Sequence, residues 1–556
     1  MKRATTILAI FLLFLSAAAQ IAPDKYFVEF TDKDNSPFSI DEPLEFLSPR
    51  AVARREIAGI PIVINDLPVN PSYVEAVSLI GPQILNQVKW FNGITIYTTN
   101  PDHITAIELL PFVNKVVKNK GKQVYEQPVG DKFHIGQQIP LKVFDSAHYG
   151  LSYTQVHMVG TDELHEMGFK GAGKVIAVLD AGFLKVDMLP AFDSLWANDQ
   201  ILGTYDFVDP GSSVFIGHSH GMKVLSIMGG NVPGQLIGTA PCASYWLLRS
   251  EDTGSEYLVE EYNWVSAAAF ADSVGADIIN SSLGYTVFND TAQSHTCADM
   301  TGNTTPVTRG ANIAFSKGIL VVNSAGNEGN NPNWQCVSAP SDGTDVMAIA
   351  AVDSLGQYAS FSSKGIVNGS YVKPNVAAMG QLTVISKTDG TIGRGNGTSF
   401  SSPVMAGSAA CLWEAFPFYS NESIKMAIEE TGSQFTNPDI YLGYGIPNLF
   451  EAYERLTGVD PLQSNASLHV YPNPFSGDDV VKVKFWSAIS QAVQAELFSM
   501  TGKRVSHLHH IRCNEGENII ELPALRGLRQ GLYILKLTFT EQSGEYSTVL
   551  IQRIER

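Results

Sequence analysis

The chain has little positive charge and lacks long apolar runs. It contains 37 Lys and Arg against 55 Asp and Glu, a formal net charge of -18, which argues against nucleic acid as the main partner. No apolar run reaches the roughly 20 residues that a helix needs to cross a bilayer, so we predict no transmembrane segment. Charged residues make up only 17% and hydrophobic residues 44% of the sequence, which excludes wholesale disorder.

Cysteine is scarce as well. The chain has five Cys, so at least one of them stays unpaired. Cys297 and Cys336 stand in polar, loop-like sequence, and we predict a disulfide between them. The other three, Cys242, Cys411 and Cys513, are predicted to be buried small apolar residues.

The first residues have the pattern of an export signal. Lys2 and Arg3 precede an apolar run at residues 7–15, and three Ala residues follow at 17–19. This order is typical of a secretory signal peptide, which we predict at residues 1–19. The apolar run is too short for a membrane anchor. We therefore expect an exported protein.

The length of 556 residues predicts roughly three or four folded units. Residues 20–120 have the mixed pattern of a small α+β domain, with a helix signal at Pro101. Its strand-like stretches are residues 26–30, 88–97 and 113–117. Polar sequence with several glycines follows at residues 121–152 and indicates a linker.

Residues 153–457 alternate strand and helix patterns. Three short apolar runs, at residues 175–179, 278–279 and 319–322, are typical of strands buried on both faces of a parallel sheet. Helical patterns fall between them, such as residues 264–274 and 311–317. The pattern predicts a doubly wound α/β domain, whose ligands bind at the carboxyl ends of the strands.

The last part of the chain, residues 462–556, has only β character. Short strand-like stretches are separated by turns, which predicts an all-β sandwich. These stretches are residues 468–471, 480–486, 495–498 and 533–538.

Four polar residues stand where the α/β pattern predicts loops or strand ends: Asp180, His220, Asn327 and Ser399. Each alone fits a cap, a loop amide or an ordinary histidine. Together they offer a serine as nucleophile, a histidine as its base, a carboxylate that can orient the histidine, and an amide donor for an oxyanion. The chain order Asp, His, Ser differs from that of chymotrypsin and of α/β-hydrolases. The lipase elbow is missing too, because Ser401 replaces its second glycine.

The segments around these residues resemble, in order, four motifs of the subtilisin-like serine peptidases of the subtilase family. They are Val-Leu-Asp-Ala-Gly at 178–182, Ser-His-Gly at 219–221, Ser-Ala-Gly-Asn-Glu-Gly at 324–329 and Gly-Thr-Ser-Phe-Ser-Ser-Pro at 397–403. The resemblance implies catalytic roles for four residues, with Ser399 the nucleophile, His220 the general base and later acid, Asp180 the orienting carboxylate and Asn327 an oxyanion donor. His218 lacks the glycine that follows His220, so it is the weaker candidate for the base.

The same resemblance implies a substrate cleft. Its two walls would be Ser282, Leu283 and Gly284, which align substrate backbone like an added strand, and Ser324, Ala325 and Gly326, which border the primary specificity pocket. No cofactor is required. Structural calcium is common in the family, but the sequence assigns no metal ligand. The extra residues 285–309 are expected to border the cleft.

The chain departs from the family motifs at several residues. Met222 and Lys223 replace a usual Thr-His pair, Ala181 replaces a common hydroxyl, and Phe-Ser-Ser at 400–402 replaces Met-Ala-Ala. None of these changes removes a bond-making group, so we expect altered support and specificity. They leave open an inactive subtilase-fold adhesin or binding module, and the triad alone also fits an esterase.

Both flanking units resemble known accessory domains. Residues 20–120 resemble a subtilase propeptide, which implies that they inhibit the enzyme until a cut within 121–152; a separate binding domain is the alternative. Residues 462–556 resemble the type IX sorting domain of Bacteroidetes, through segments 470–474, 497–502 and 531–535. The implied partners are protein or peptide substrates, the propeptide and the type IX secretion machinery. The protein would be secreted or attached to the cell surface.

Overall fold

A computed structural model describes residues 24–118, 148–369, 371–457 and, with short gaps, 469–553. The predicted signal peptide and most of the predicted linker lie outside these residues. In the described part of the chain, no helix is long and apolar enough to cross a membrane.

The N-terminal unit is an α+β domain with a four-stranded antiparallel sheet of order β2-β3-β1-β4. Its elements are β1 (Lys25–Phe30), α1 (Pro49–Ala58), α2 (Pro71–Ile80), β2 (Gln83–Val88), β3 (Gly93–Tyr97), α3 (Pro101–Glu108) and β4 (Val113–Lys118). The single strand predicted at 88–97 is wrong. A 3-10 turn at Lys89–Phe91 and Asn92, with φ of 49°, reverse the chain there and produce the β2-β3 hairpin.

The central unit contains nine helices and thirteen strands among its described residues. The helices are α4 (Tyr153–His157), α5 (Thr161–Glu166), α6 (Asp193–Ala197), α7 (His220–Gly229), α8 (Val259–Val274), α9 (Pro306–Ser316), α10 (Thr398–Ala415), α11 (Asn421–Glu430) and α12 (Leu449–Leu456). The strands are β5 (Val175–Asp180), β6 (Ile201–Asp206), β7 (Asn231–Val232), β8 (Leu236–Ile237), β9 (Ser244–Arg249), β10 (Ile278–Ser281), β11 (Leu320–Ser324), β12 (Met347–Val352), β13 (Ile366–Asn368), β14 (Tyr371–Lys373), β15 (Val376–Met379), β16 (Thr383–Ser386) and β17 (Ile392–Gly395). Both α8 and α9 begin five residues before the predicted helical stretches.

Seven of these strands form a parallel sheet of order β15-β12-β11-β10-β5-β9-β6. Successive residues of β5 face opposite sides of the sheet. Ile176 and Val178 belong to the core that includes α7 and α10, whereas Ala177 and Leu179 belong to the core that includes α8 and α9. The doubly wound α/β fold is therefore confirmed. The order in which the chain adds strands to the sheet reverses between β5 and β10. Doubly wound sheets bind their ligands at such a point.

The C-terminal unit consists of two antiparallel sheets that share one hydrophobic core, as predicted for a β-sandwich. Its strands are β18 (His469–Tyr471), β19 (Lys482–Ser487), β20 (Gln491–Ser499), β21 (Arg504–Cys513), β22 (Gly516–Glu521), β23 (Gly531–Phe539) and β24 (Tyr546–Arg553). Phe485 of the three-stranded sheet and Leu497 of the four-stranded sheet lie in the shared core.

The cysteines follow the sequence prediction with one exception. Cys297 and Cys336 form the predicted disulfide, and Cys411 and Cys513 are buried. Cys242 is exposed, so its predicted burial is wrong. It lies in the turn between β8 and β9, where its backbone N–H donates to the Lys170 carbonyl at 3.0 Å.

The extra segment 285–309 is anchored at several places. Tyr285 forms a bridge with Ala339, and the disulfide ties the segment to the same stretch of chain. His295 binds the buried Glu261 carboxylate of α8. Burial disfavours a charged imidazole, but the hydrogen bond and charge of Glu261 outweigh it and raise the pKa of His295.

The pair of His295 with Glu261 should make the stability of the fold depend on pH. A histidine with a raised pKa stabilises the fold fully below its unfolded pKa of about 6.5, and the contribution is lost as pH rises through the higher folded pKa. His295→Gln should therefore lower Tm more at pH 6 than at pH 9, by about 2 °C. Thermal unfolding would be measured with Ser399→Ala in all chains. His157→Gln is the control, since that side chain is 54% exposed in its pair with Asp162. An equal loss at both pH values would contradict the role of the pair.

Candidate active site

Asp180 and His220 lie together in the protein interior. Asp180 is the last residue of β5 and His220 is the first residue of α7, and their exposures are 0% and 2%. The Asp180 Oδ1 atom is 2.8 Å from the His220 Nδ1 atom. A carboxylate at Nδ1 favours the tautomer that leaves Nε2 as a proton acceptor.

Glycine makes this close approach possible. A Cβ on Gly221 would lie 2.7 Å from the Gly182 carbonyl oxygen and 2.9 Å from the Asp180 Cβ. Gly182 itself has φ of 143°, and a Cβ there would be 3.0 Å from the His218 carbonyl oxygen. Larger residues at either site would push α7 away from β5. The glycines of both sequence motifs are thus explained by packing.

The Asp180 carboxylate is only partly hydrogen-bonded. Oδ1 accepts the Ala181 N–H at 2.7 Å in addition to its contact with His220. The buried Oδ2 has no hydrogen-bond partner among the described residues. Ala181, which replaces the hydroxyl residue common in the family, offers no donor from its side chain. The sequence departure therefore changes the support of the aspartate.

Ser399 is the second residue of α10, which begins at Thr398. The apolar sequence after Pro403 predicts a helix that begins at this proline, but the helix begins at Thr398 and Pro403 lies inside it. Proline has no N–H to bond the carbonyl four residues earlier, which here belongs to Ser399. The Ser282 hydroxyl donates to that carbonyl at 2.9 Å, and the Ser399 hydroxyl donates to the Ser282 carbonyl at 3.2 Å. Ser282 thus compensates for the proline and fixes the serine turn beside β10.

Asn327 is oriented by the residue that precedes Ser399. Its Oδ1 atom accepts both the Thr398 N–H at 2.9 Å and the Thr398 hydroxyl at 3.0 Å. The amide oxygen is therefore committed, and the exposed side chain is left with its NH₂ group as the donor that can face a substrate. Thr398 was not among the predicted site residues. The Gly-Thr-Ser order is the only sequence sign of it.

His218 is a neighbour of the Asp180–His220 pair. Its Nδ1 atom accepts the His220 backbone N–H at 3.2 Å, and the two rings are 6.4 Å apart. Asp180 binds the ring of His220. The geometry therefore favours His220 over His218 for the role of base.

The residues that depart from the family around Ser399 are buried. Phe400, Ser401 and Ser402 have exposures of 2%, 0% and 0%. The Ser401 hydroxyl donates to the Thr398 carbonyl at 3.0 Å, and the Ser402 hydroxyl donates to the Asn280 amide oxygen at 3.1 Å. These side chains support the helix and the sheet, which agrees with the expected change of support.

The two predicted walls of the cleft lie beside Ser399. Ser282, Leu283 and Gly284 follow β10, and Ser324, Ala325 and Gly326 lie at and after the end of β11. A residue that the sequence did not indicate, Ser338, lies between them. A Cβ on Gly284 would be 2.9 Å from the Ser338 Cβ, and a Cβ on Gly326 would be 2.5 Å from its hydroxyl oxygen. Only its position two residues after Cys336 could have suggested this.

One acidic group is brought together by the fold. Carboxylate oxygens of Glu251, Glu256 and Glu260 lie within 4.8 Å of one another, in the only such set among the described residues. The sequence spacing across the start of α8 gave no sign of it. Glu251 and Glu260 of this group are buried, and we assign no ion to it.

Three family models match the chain. The Subtilase family model (Peptidase S8) matches residues 171–445. The Bacteroidota Peptidase S8 propeptide domain matches residues 25–132, and the secretion system C-terminal sorting domain matches residues 469–552. All three resemblances drawn from the sequence are confirmed.

Known proteins show the same likeness. Subtilisin E of Bacillus subtilis (strain 168) is 30% identical over 308 residues, which are 55% of this chain and 70% of its own. A subtilisin of Bacillus pumilus is 29% identical over 308 residues, 55% of this chain and 98% of its own. A crystal structure of MycP1 from Mycobacterium smegmatis is 21% identical, with a TM-score of 0.42, and covers 58% of this chain and 88% of its own.

The sequence matches account for the features described above: the strand-end aspartate bound to a histidine, the serine turn beside β10, and the flanking N- and C-terminal units. The chain belongs to the subtilase family and is a serine endopeptidase with a propeptide domain and a type IX sorting domain.

Proposed function

We propose that this protein hydrolyses peptide bonds through an acyl-enzyme on Ser399, with His220 as general base and acid. The observation that carries the proposal is the buried 2.8 Å hydrogen bond between Asp180 and His220. An orienting carboxylate and an imidazole in this arrangement make a serine hydroxyl nucleophilic at neutral pH.

The reaction would proceed in two halves. The Ser399 hydroxyl turns from the Ser282 carbonyl to His220, gives its proton to Nε2 and attacks the substrate carbonyl carbon. His220 then gives that proton to the leaving amine as the C–N bond breaks. In the second half a water molecule loses a proton to His220 and attacks the acyl carbon. His220 then returns the proton to the Ser399 oxygen as the bond between that oxygen and the acyl carbon breaks, which releases the acid product. The Asp180 carboxylate orients the imidazole and stabilises the imidazolium.

Asn327 and the Ser399 backbone N–H would bind the oxyanion. Thr398 commits the Asn327 amide oxygen to two hydrogen bonds, at 2.9 and 3.0 Å, so the NH₂ end is fixed before substrate arrives. A donor that needs no reorganisation stabilises developing charge best. The first N–H groups of α10, which lack partners within the helix, favour negative charge in the same place.

The substrate would bind as an extended strand between residues 282–284 and 324–326. The side chain before the scissile bond would then point between the two walls toward Ser338, which lies close to Gly284 and Gly326. Ser338 therefore occupies space between the two walls. We infer a preference for small side chains at that substrate position.

Export and maturation complete the proposal. Residues 1–19 would direct export and be removed, and the sorting domain, residues 462–556, would engage the type IX secretion machinery. Residues 20–120 would inhibit the peptidase domain, residues 153–457, until a cut within 121–152. The product would be secreted or attached to the cell surface.

Loss of the Ser399 hydroxyl tests the nucleophile. Ser399→Ala should lower casein hydrolysis by about 10⁶-fold and abolish labelling by a fluorophosphonate probe. Ser401→Ala is the matched control, because that hydroxyl bonds the Thr398 carbonyl inside the helix, and it should keep most of the activity. Equal probe labelling of wild type and Ser399→Ala would overturn the assignment. Ester turnover without peptide turnover would instead favour an esterase.

The support of the oxyanion donor can be tested at Thr398. Thr398→Val removes one of the two hydrogen bonds that hold the Asn327 oxygen, so kcat should fall about tenfold with KM little changed. Thr398→Ser keeps the hydroxyl and should retain kcat. Steady-state kinetics on one peptide substrate would measure both. If kcat and KM both fell in the Thr398→Ser enzyme, the result would argue against this role of the Thr398 hydroxyl.

The size of the specificity pocket can be tested at Ser338. Ser338→Gly should raise kcat/KM for substrates with an aromatic residue before the scissile bond by about tenfold relative to alanine substrates. Ser338→Thr should shift the same ratio the other way. Identical ratios in the three enzymes, measured with a matched set of peptides, would show that Ser338 does not border this pocket.

A further inference from the structure

The N-terminal unit contacts the central domain at two separate surfaces. One is a buried face of α8, where Phe27 stacks on Tyr262 with ring centroids 4.3 Å apart and Asn86 donates to the Asn263 amide oxygen at 3.0 Å. The other is formed by α1, an arm between β1 and α2. The second surface is the subject of the inference.

The α1 arm lies at the amino ends of the parallel strands. Arg50 donates to the Gly173 carbonyl at 2.7 Å and pairs with Asp277, and these residues come just before β5 and β10. Arg54 donates to the carbonyl of Lys317, which precedes β11, at 3.2 Å. Asp180 and Ser282 lie at the opposite, carboxyl ends. The arm therefore binds the sheet edge away from the catalytic residues.

Asp272 of α8 is the centre of this surface. Its carboxylate is fully buried and pairs with Arg54 at 2.6 Å, with Arg55 at 2.8 Å and with Lys89 at 3.3 Å. All three cations belong to the N-terminal unit. These cations outweigh the effect of burial and lower the pKa of Asp272, so the carboxylate is charged.

A second carboxylate extends the cluster, and this one belongs to the N-terminal unit. Asp66 of the N-terminal unit binds Arg55 at 2.9 Å and also Lys317 of the central domain at 2.9 Å. All the carboxylates and cations named in these pairs are at least about nine-tenths buried. Salt screens such pairs less than it screens surface pairs.

The N-terminal unit contributes more cations than carboxylates to this cluster, and this excess has a physical cause. The arm covers the C-terminal end of α8, where carbonyl groups without helical partners favour cations. The Ser48 N–H donates to the Ser273 carbonyl at 2.8 Å, Arg50 donates to the Gly275 carbonyl at 2.9 Å, and Arg54 donates to the Ala276 carbonyl. A Cβ on Gly275 would lie 2.7 Å from the Arg50 Cβ, so the contact also requires that glycine.

We propose that Asp272 and Lys317 form a docking site for the α1 arm that retains the propeptide after it has been cut from the peptidase. The inference rests on the proposed maturation cut. Separation of the two units would break the pairs of Asp272 with its three cations and of Lys317 with Asp66. A substitution that removes one partner leaves the other charge buried and unpaired in the complex, which is strongly unfavourable. The arm thus slows the departure of the propeptide in addition to the contacts that Phe27 and Asn86 make with the same helix.

The test uses the full chain with Ser399→Ala and a recognition sequence for a site-specific protease inserted within 119–147. After that protease has cut the chain, size-exclusion chromatography and a binding titration measure the dissociation constant of the N-terminal fragment. Arg54→Gln with Arg55→Gln, and separately Asp272→Asn, should each raise it about 100-fold or more. Lys115→Gln is the control, because its pair with Glu29 lies within the N-terminal unit and is 57% exposed on the lysine side.

Each outcome decides the question. A dissociation constant within twofold of the parent for Asp272→Asn, or a parent fragment that leaves at once, would overturn the proposal. If the double arginine variant does not fold, as judged by near-ultraviolet circular dichroism, Lys317→Gln gives the answer and should raise the constant about tenfold. Failure of the proposed peptidase function would be seen separately, as a wild-type chain that does not cut itself.

Discussion

The contact between the end of β5 and the start of α7 is the constraint on which the site depends. A buried carboxylate is costly unless hydrogen bonds satisfy it, and the Oδ1 atom of Asp180 is satisfied by His220 and the Ala181 N–H, while its Oδ2 atom has no partner among the described residues. That contact exists only because Gly221 allows the helix to approach the strand. The imidazole is thereby oriented by packing before any substrate binds.

A second constraint acts on the serine turn. Pro403 inside α10 leaves the Ser399 carbonyl without a helical donor, and Ser282 supplies one from the loop after β10. The nucleophile and the wall of the cleft are thus tied by one pair of hydrogen bonds. Thr398 makes the equivalent connection to Asn327 after β11. Three neighbouring strands of one sheet therefore hold the site rigidly at their carboxyl ends.

The two edges of this sheet carry different chemistry. The carboxyl edge presents Asp180, Ser282 and Asn327, which are the polar groups that the proposed mechanism places around the reacting bond. The amino edge and the end of α8 present Asp272 and Lys317, whose partners are charges of the propeptide. A parallel sheet separates its strand ends by the length of a strand. Binding of the arm and binding of substrate are therefore spatially independent.

The sequence by itself determined the fold class, the order of the units and the family. Apolar runs that fit strands buried on both faces, and four motifs in one chain order, are local patterns that survive in the linear chain. The pairing of Cys297 with Cys336 was predicted from their polar surroundings, and the structure contains it. The limits of the strands in the propeptide were not predicted correctly, because the reversal at Asn92 depends on a backbone angle rather than on hydrophobicity.

Only the tertiary structure decided what surrounds those motifs. Ser338, Thr398 and the Asp272 cluster join residues that are far apart in the chain, and no pattern in the sequence encodes such distances. The start of α10 before Pro403 was decided in the same way, because a hydroxyl from another loop replaces the bond that proline removes. Residue types thus specified the chemistry, and packing specified which residues support it.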